Sequence, residues 1–458
     1  MLEVIILAAG KGTRMISDQP KVLHRLAGRP LLQHVLDTCS ELGADRLHVV
    51  YGYAGNLLRE EIQNDKINWI LQSEQKGTGH AVEMAMPDVN DQSTIMVLYG
   101  DVPMISASSL RKLLTVAGSN SVGLMTACLQ DGGTYGRIVR NENEEFQAIV
   151  EHRDATAEQC TINEINTGFL AAPAGKLKQW VKELDCNNAQ GEFYLTDIFA
   201  RAVAEGIAVE TCQPDDADEI LGINDRQDLA TVERIFQQQL AAAYMKSGLS
   251  IIDPNRFDVR GKLTHGKDCS VDINVIFEGN IVLGDRVSIG PNCHLKNMLI
   301  GDDVEIRANS VLEDSVIGEL ALIGPFSRIR PDSDIAALAH IGNFVEIKKS
   351  RIGSASKVNH LSYIGDSEIG SEVNIGAGVI TCNYDGANKF KTVIGDNAFI
   401  GSDSQLVAPV EIGKGATIGA GSTITRNAPE NELTLSRAEQ TSRKGWQRPV
   451  KKSPPKES

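Results

Sequence analysis

Two hydrophobic rhythms divide the chain. Toward the C-terminal end, Ile394, Ile400, Leu406, Ile412, Ile418 and Ile424 recur every six residues. Side chains repeat every 3.6 residues on an α-helix and every 2 on a strand, so this period belongs to neither. Four of these positions read Ile-Gly, and the same phase runs upstream as Leu283-Gly284, Ile289-Gly290, Ile317-Gly318, Ile323-Gly324 and Ile341-Gly342. A hexapeptide repeat of this kind predicts short parallel strands joined by tight turns, each face adding one aliphatic residue to a continuous core. The repeat extends from about Ser250 to Asn427. Its phase breaks between Thr381 and Ile394, which predicts a long loop ejected from one coil.

Residues 1 to about 226 follow another pattern. Val4-Ile5-Ile6-Leu7, Leu47-His48-Val49-Val50, Ile95-Met96-Val97-Leu98-Tyr99 and Val122-Gly123-Leu124-Met125 read as strands. Amphipathic stretches lie between them, such as Pro30 to Leu42 with Leu31, Leu32, Val35 and Leu36. The alternation predicts a Rossmann-like, mostly parallel sheet covered by helices, with ligands bound beyond the carboxyl ends of the strands. Asp225 to Lys246 carries Leu229, Val232, Phe236, Leu240 and Ala243 at helical spacing. It predicts a linking helix over about residues 227–247, capped by Asn224 or Asp225. The expected fold class is α/β plus β-solenoid: a first domain over 1–226, the linking helix, and a repeat domain over 248–458. The tail from Arg437 to Ser458 holds seven Lys/Arg against two Glu and is expected to be disordered from about residue 440.

Composition narrows the function. A chain of 458 residues exceeds what one core serves, so at least two domains are expected. The net charge of −15 argues against nucleic acid and membrane surfaces as partners, since both reward a positive face. The eight cysteines include no CxxC, which points away from zinc and disulfides and toward a reducing cytoplasm. Val4 to Ala9 is too short to cross a bilayer and runs directly into a glycine-rich loop, so it reads as a buried first strand.

That loop carries the first candidate chemistry. Leu7-Ala8-Ala9-Gly10-Lys11-Gly12-Thr13-Arg14-Met15, ending at Pro20-Lys21, can offer backbone N–H groups to phosphates, with Arg14 and Lys21 adding charge. The run resembles the signature of the sugar-phosphate nucleotidyltransferases, in the form found in N-acetylglucosamine-1-phosphate uridylyltransferases. Further segments continue the resemblance in order. Gln72 with Gly77-Thr78 corresponds to a uracil-reading segment, Tyr99-Gly100-Asp101 to a metal-binding turn, and Tyr135-Gly136-Arg137, Glu151, Asn166-Thr167-Gly168 and Asn224 to sugar-contacting positions. The resemblance implies in-line attack of a sugar 1-phosphate on the α-phosphorus of UTP, with magnesium held by Asp101 and Asn224. Asp101 ending a strand and Asn224 capping a helix are the structural alternatives.

The repeat alone leaves acyl transfer and plain assembly both open. Arg330, Lys348, His360, Tyr363 and Asn374 interrupt it. They resemble the acetyltransferase half of the bifunctional bacterial enzymes of UDP-N-acetylglucosamine synthesis, a similarity that spans essentially residues 1–437. On that resemblance Arg330, Lys348 and Tyr363 hold the phosphate of glucosamine 1-phosphate and Asn374 helps position the sugar. His360 takes a proton from the 2-amino group, a task suited to imidazole. Asn383 and Tyr384 on the ejected loop contribute to cofactor binding or oxyanion stabilisation. Acetyl-CoA lies against Ala377, Ser402 and Ala420 with Arg437 on its phosphates, while Cys382 is structural. The same resemblance implies a left-handed parallel β-helix and a homotrimer whose acetyl-transfer sites are shared between neighbours. The alternatives are a nucleotidyltransferase for another sugar phosphate, or one whose solenoid serves only as an oligomerisation platform.

Overall fold

The computed structural model of the protein describes residues 1–52 and 55–451. Two compact units form, Met1–Tyr244 with Asp258–Gly261, and Met245–Phe257 with Lys262–Ser458. The tail beyond residue 451 lies outside the described residues, and residues 440–451 are exposed with neither helix nor strand.

In the first unit the apolar runs become the middle of one sheet. Its order is Ala208–Cys212, Ser121–Cys128, Glu164–Pro173, Thr94–Tyr99, Leu2–Ala8, Arg46–Tyr51, Ile67–Leu71. Leu2–Ala8 is parallel to both neighbours, whereas Glu164–Pro173 runs antiparallel to both of its own. A hairpin of Arg137–Arg140 and Phe146–Val150 extends from the latter strand. Alternating side chains feed two cores: Val4 and Ile6 meet Val35, Leu36 and Cys39 of the helix Leu31–Leu42. Ile5 and Leu7 meet Ala81, Val82 and Ala85 of the helix Thr78–Ala85. Burial on both faces explains why the first strand is apolar at every position from Val4 to Ala8 instead of every second one.

The linking helix spans Arg226–Lys246. Its buried positions are Val232, Gln237 and Ala241, whereas Ala243, the last of the helically spaced apolar positions, is exposed. A buried glutamine breaks the apolar rule for a local reason. The Gln237 amide exchanges two hydrogen bonds with the backbone of Val259, at 2.9 and 2.8 Å, so its polar atoms are satisfied out of water.

The second unit is an all-parallel solenoid with the architecture of the hexapeptide left-handed β-helix. Short strands stack from Ser250–Ile251 to Leu433–Thr434, so the stack gains one strand beyond the Asn427 limit of the sequence pattern. Ladder contacts link residues 17 or 18 apart, and 25 apart across the coil that ejects the loop. Ile323, Ile341, Val358, Ile400, Leu406 and Ile418 are fully buried in the stack. Each corner places one residue of most coils in the left-handed backbone region. At one corner these are Asn274, Asn292 and Asn309, then Phe326, Phe344 and Leu361. The asparagines form a side-chain ladder at 2.9 and 3.1 Å. The phenylalanine rings stack at 5.2 Å while remaining half exposed.

Candidate active sites

A cavity of about 380 Å³ opens beyond the carboxyl ends of the first unit's central strands, where such sheets bind ligands. Leu7, Ala8, Ala9 and Gly10 line it from the end of the first strand, and Tyr99 and Asp101 from the end of its neighbour. Gln72, Gly77 and Thr78 close another side, joined by Lys21. Gly100 ties the two strand ends together, its N–H donating to Leu7 O at 3.0 Å. Gln72 is buried and its amide donates to Gly77 O at 3.2 Å. Gly77 has φ +109, and a Cβ there would lie 2.6 Å from Phe193 O, so only glycine admits this close backbone approach.

Charge concentrates at one edge. The Lys21 ammonium is bonded to Asp101 Oδ2 and lies 3.4 Å from Asn224 Oδ1. Arg14 donates to the same Asn224 oxygen at 3.0 Å. Asn224 is free for this because Asp225 caps the linking helix, its carboxylate accepting from the N–H groups of Gln227 and Asp228 at 2.8 and 2.9 Å. Asp228 in turn accepts the Asn224 N–H at 2.8 Å. One carboxylate and one amide oxygen therefore converge on a single cation, the Lys21 ammonium. Asp101 and Asn224 are hard oxygen donors that could hold magnesium once Lys21 and Arg14 turn to phosphate, since that ion takes few protein oxygens and fills its shell with phosphate and water.

A second wall is built by a bulge. The pairing of Glu164–Pro173 slips between Asn166 and Leu170, re-aiming the residues between. Gly168 sits there at φ +85, and a Cβ on it would lie 2.5 Å from the Tyr99 ring. The Asn166 N–H donates to Gly136 O at 2.8 Å, while the Thr167 hydroxyl turns into the sheet to donate to Met125 O at 2.7 Å. A Cβ on Gly136 would lie 3.4 Å from Glu151 Oε2. Burial raises the Glu151 carboxyl above its ordinary range, opposed by a 3.1 Å hydrogen bond from the Thr196 hydroxyl and reinforced by the charges of Asp197 and Asp154. Burial also pushes the Tyr99 phenol up, with Asp101 and Glu151 adding to the effect.

Arg137 departs from the sugar-contacting position expected of it. It is buried, and its guanidinium donates to Gly132 O and Gly133 O at 3.0 Å each, bracing its own loop. Lys11 and Gln75, not singled out from the sequence, line the cavity, and the Gln75 amide donates to Ala9 O. Gln75 begins the Gln-Lys-Gly-Thr-Gly-His run, so a signal was present. Thr196 had none, since only the fold carries it to Glu151.

In the second unit, Asn343, His360, Ala377, Ser402 and Ala420 form one column along a corner. Asn343, His360, Ala377 and Ser402 each accept, through the backbone carbonyl, an N–H of the next coil: from Leu361 at 3.1 Å, Gly378 at 3.3 Å, Asp403 at 2.8 Å and Gly421 at 2.8 Å. Arg437 closes the column, donating from Nη1 to Ala420 O at 2.6 Å. Asn343 Oδ1 lies 2.9 Å from His360 Nδ1. With that oxygen as acceptor, Nδ1 carries the proton and Nε2 keeps a lone pair on an exposed ring. Asn343 is a partner that sequence reading missed, because it belongs to the preceding coil.

The adjacent face carries the cationic residues. Glu346 pairs opposite Tyr363 and Lys348 opposite Gly365, and strand alternation turns all four to one side. Arg330, expected to hold a phosphate, donates to Glu346 Oε1 at 2.8 Å. Glu346 was legible, since Val-Glu-Ile-Lys places it beside Lys348. Asn374 lies on the His360 face, opposite Lys357. On the ejected loop Asn383 is buried, whereas Tyr384 is exposed and donates to Gly386 O at 2.6 Å. Burial raises the Cys382 thiol, which keeps it protonated and suits a structural role.

Residues 4–164 match the family model of the MobA-like NTP transferase domain, and residues 391–426 that of the bacterial transferase hexapeptide (six repeats). The chain joins a nucleotidyltransferase-type domain to transferase hexapeptide repeats. Among solved structures, a nucleotidyl transferase from Methanothermobacter thermautotroptrophicus is 16% identical, with 52% of this chain and 99% of that chain covered and a TM-score of 0.38. A UDP-glucose pyrophosphorylase solved with UDP-glucose is 18% identical, with 54% and 98% covered and a TM-score of 0.43. The architecture itself follows from the strand pairing described above. Among the described residues no helix is long and apolar enough to cross a membrane.

Proposed function

We propose that the protein is a cytoplasmic bifunctional transferase that acetylates glucosamine 1-phosphate from acetyl-CoA and joins the product to UTP, yielding UDP-N-acetylglucosamine and pyrophosphate. The observation that carries the reading is the His360 column. A ring with a free Nε2 stands at the foot of a run of small residues, Ala377, Ser402 and Ala420, along which a pantetheine arm can lie close to backbone. Nε2 takes a proton from the sugar 2-amine as its nitrogen attacks the thioester carbonyl, and CoA leaves as the thiolate. Arg330, Lys348 and Tyr363 on the neighbouring face would hold the phosphate, Arg330 exchanging Glu346 for it.

In the first unit Arg14, Lys21 and the amides of the glycine loop neutralise the triphosphate, so the reaction is chiefly positioning and charge stabilisation. Asp101 and Asn224 would hold the magnesium that nucleotidyltransferases of this kind generally use; when bound it withdraws charge from phosphate oxygens. Gln72, Gly77 and Thr78 would read uracil, and Gly136, Glu151 and Asn166 the sugar. A homotrimer is supported by the half-exposed corner of Phe326, Phe344 and Leu361, large apolar side chains held in a backbone conformation that ordinarily selects glycine or asparagine.

The test is an assay with glucosamine 1-phosphate, acetyl-CoA, UTP and magnesium, following free CoA thiol and pyrophosphate separately. His360→Ala should abolish thiol release and spare pyrophosphate release from supplied N-acetylglucosamine 1-phosphate. Thiol release unchanged by the substitution would reject His360 as the base. No thiol from the unaltered protein would reduce the solenoid to a platform, and preference for a competing sugar phosphate would reassign the first site.

A further inference from the structure

We propose that Asp366 is a positioning residue of the acetyl-transfer site, holding the Asn383 amide in place beside the Tyr363 hydroxyl; this rests on the acetyl-transfer reading above. Asp366 turns a corner of the solenoid at φ +47, directly after Gly365. Its backbone is held independently of its side chain: the N–H donates to Lys348 O at 3.0 Å and the carbonyl accepts from Thr392 at 3.3 Å. The carboxylate is therefore available, and it accepts from the Asn383 side-chain amide across the base of the ejected loop. Asn383 is 7% exposed, and its carbonyl accepts the Phe390 N–H at 2.9 Å, where the loop returns to the coil.

Gly365 shows what this arrangement serves. A Cβ there would lie 2.5 Å from Tyr363 Oη and 2.8 Å from Asn383 Nδ2. The phenol and the amide thus both pack over the Gly365 Cα, in space that only a glycine yields to them. A carboxylate accepts and never donates, so it draws the NH₂ end of Asn383 to itself and fixes which way the amide faces. One amide N–H is then spent on Asp366. The second, with the neighbouring Tyr363 hydroxyl, forms a pair of donors for an anionic or carbonyl oxygen that approaches the two groups from the side away from Gly365. Without Asp366 the amide is free to rotate, and the pair is no longer preorganised.

Asp366→Gly tests this while keeping the backbone, because glycine accepts a left-handed φ without steric strain. Acetyl transfer should fall by about tenfold or more in kcat/KM, while uridylyl transfer stays unchanged. Asp366→Asn also tolerates the conformation and accepts through Oδ1, so it should restore most of the rate. Asn383→Ala should match Asp366→Gly, and the double variant should lose no more than either single one. Normal acetyl transfer in Asp366→Gly, failure of Asp366→Asn to restore it, or additive losses in the double variant would overturn the proposal. Absence of thiol release from the unaltered protein would instead remove the acetyl-transfer reading, and this proposal with it.

Discussion

Gly168→Ala probes the wall of the first cavity with a single methyl group. The added Cβ would lie 2.5 Å from Tyr99 Cε2 and 2.9 Å from Cζ and Oη. Carbon atoms pack at about 3.5–4.0 Å, so ring and methyl must separate by about 1 Å. Phe169 packs against the same ring at 6.2 Å between centroids, which leaves the cavity side as the direction of escape. Overpacking of this kind costs about 1–3 kcal/mol, and alanine at φ +85 adds about 1 kcal/mol of backbone strain. Urea unfolding followed by Trp69 and Trp180, both in the first unit, should report a loss of about 2–4 kcal/mol. A displacement of about 1 Å at a positioned substrate costs up to about 100-fold in rate, so pyrophosphate release should fall by one to two orders of magnitude. Thiol release from the same preparation is the internal control and should be unaffected. Pyrophosphate release within about twofold of the unaltered protein, at normal KM, would refute the placement of Tyr99 as a substrate wall.

Two further outcomes concern stability and assembly. Glu3 is fully buried in the first strand; burial alone would raise its carboxyl, but hydrogen bonds from Ser93 at 2.7 Å, His48 at 2.8 Å and the Asn90 N–H at 3.2 Å outweigh it and hold it below its ordinary value. A depressed folded-state value contributes stability above the unfolded value of about 4.3 and loses it as pH falls through the folded one. Glu3→Gln should thus cost about 2 kcal/mol at neutral pH, with the two stability curves converging as the pH drops below about 4, and parallel curves would rule this out. Phe344→Asp places a charge on the exposed corner stack of the solenoid; if that corner is the trimer contact, each subunit forfeits about 2 kcal/mol of apolar burial and sedimentation should show dissociation. An unaltered trimer would move the interface elsewhere.

The linear pattern determined most of the architecture. A period of six cannot be buried by a helix or by an ordinary sheet, so the aliphatic residues from Ile394 to Ile424 already required a stacked solenoid, and continuous apolar runs such as Val4–Ala8 required a sheet covered on both faces. The residue types of the glycine loop and of Asp101 also announced phosphate and cation chemistry. What the sequence could not carry was any relation between coils or between distant strands. Whether Asn224 or Asp225 caps the linking helix was open from the chain alone, and only packing resolved it, by giving the Asp225 carboxylate to the helix N–H groups and the Asn224 oxygen to Arg14 and Lys21. Arg137 belonged to a motif, yet the fold turned its guanidinium onto its own loop, because a buried charge must find acceptors wherever the backbone offers them. Asn343 orients His360 from 17 residues away, and Asp366 reaches Asn383 across the same separation. One coil of the solenoid is what brings such residues side by side. That length is set by three faces closing around an aliphatic core, so the pairing becomes visible only once the chain has wound.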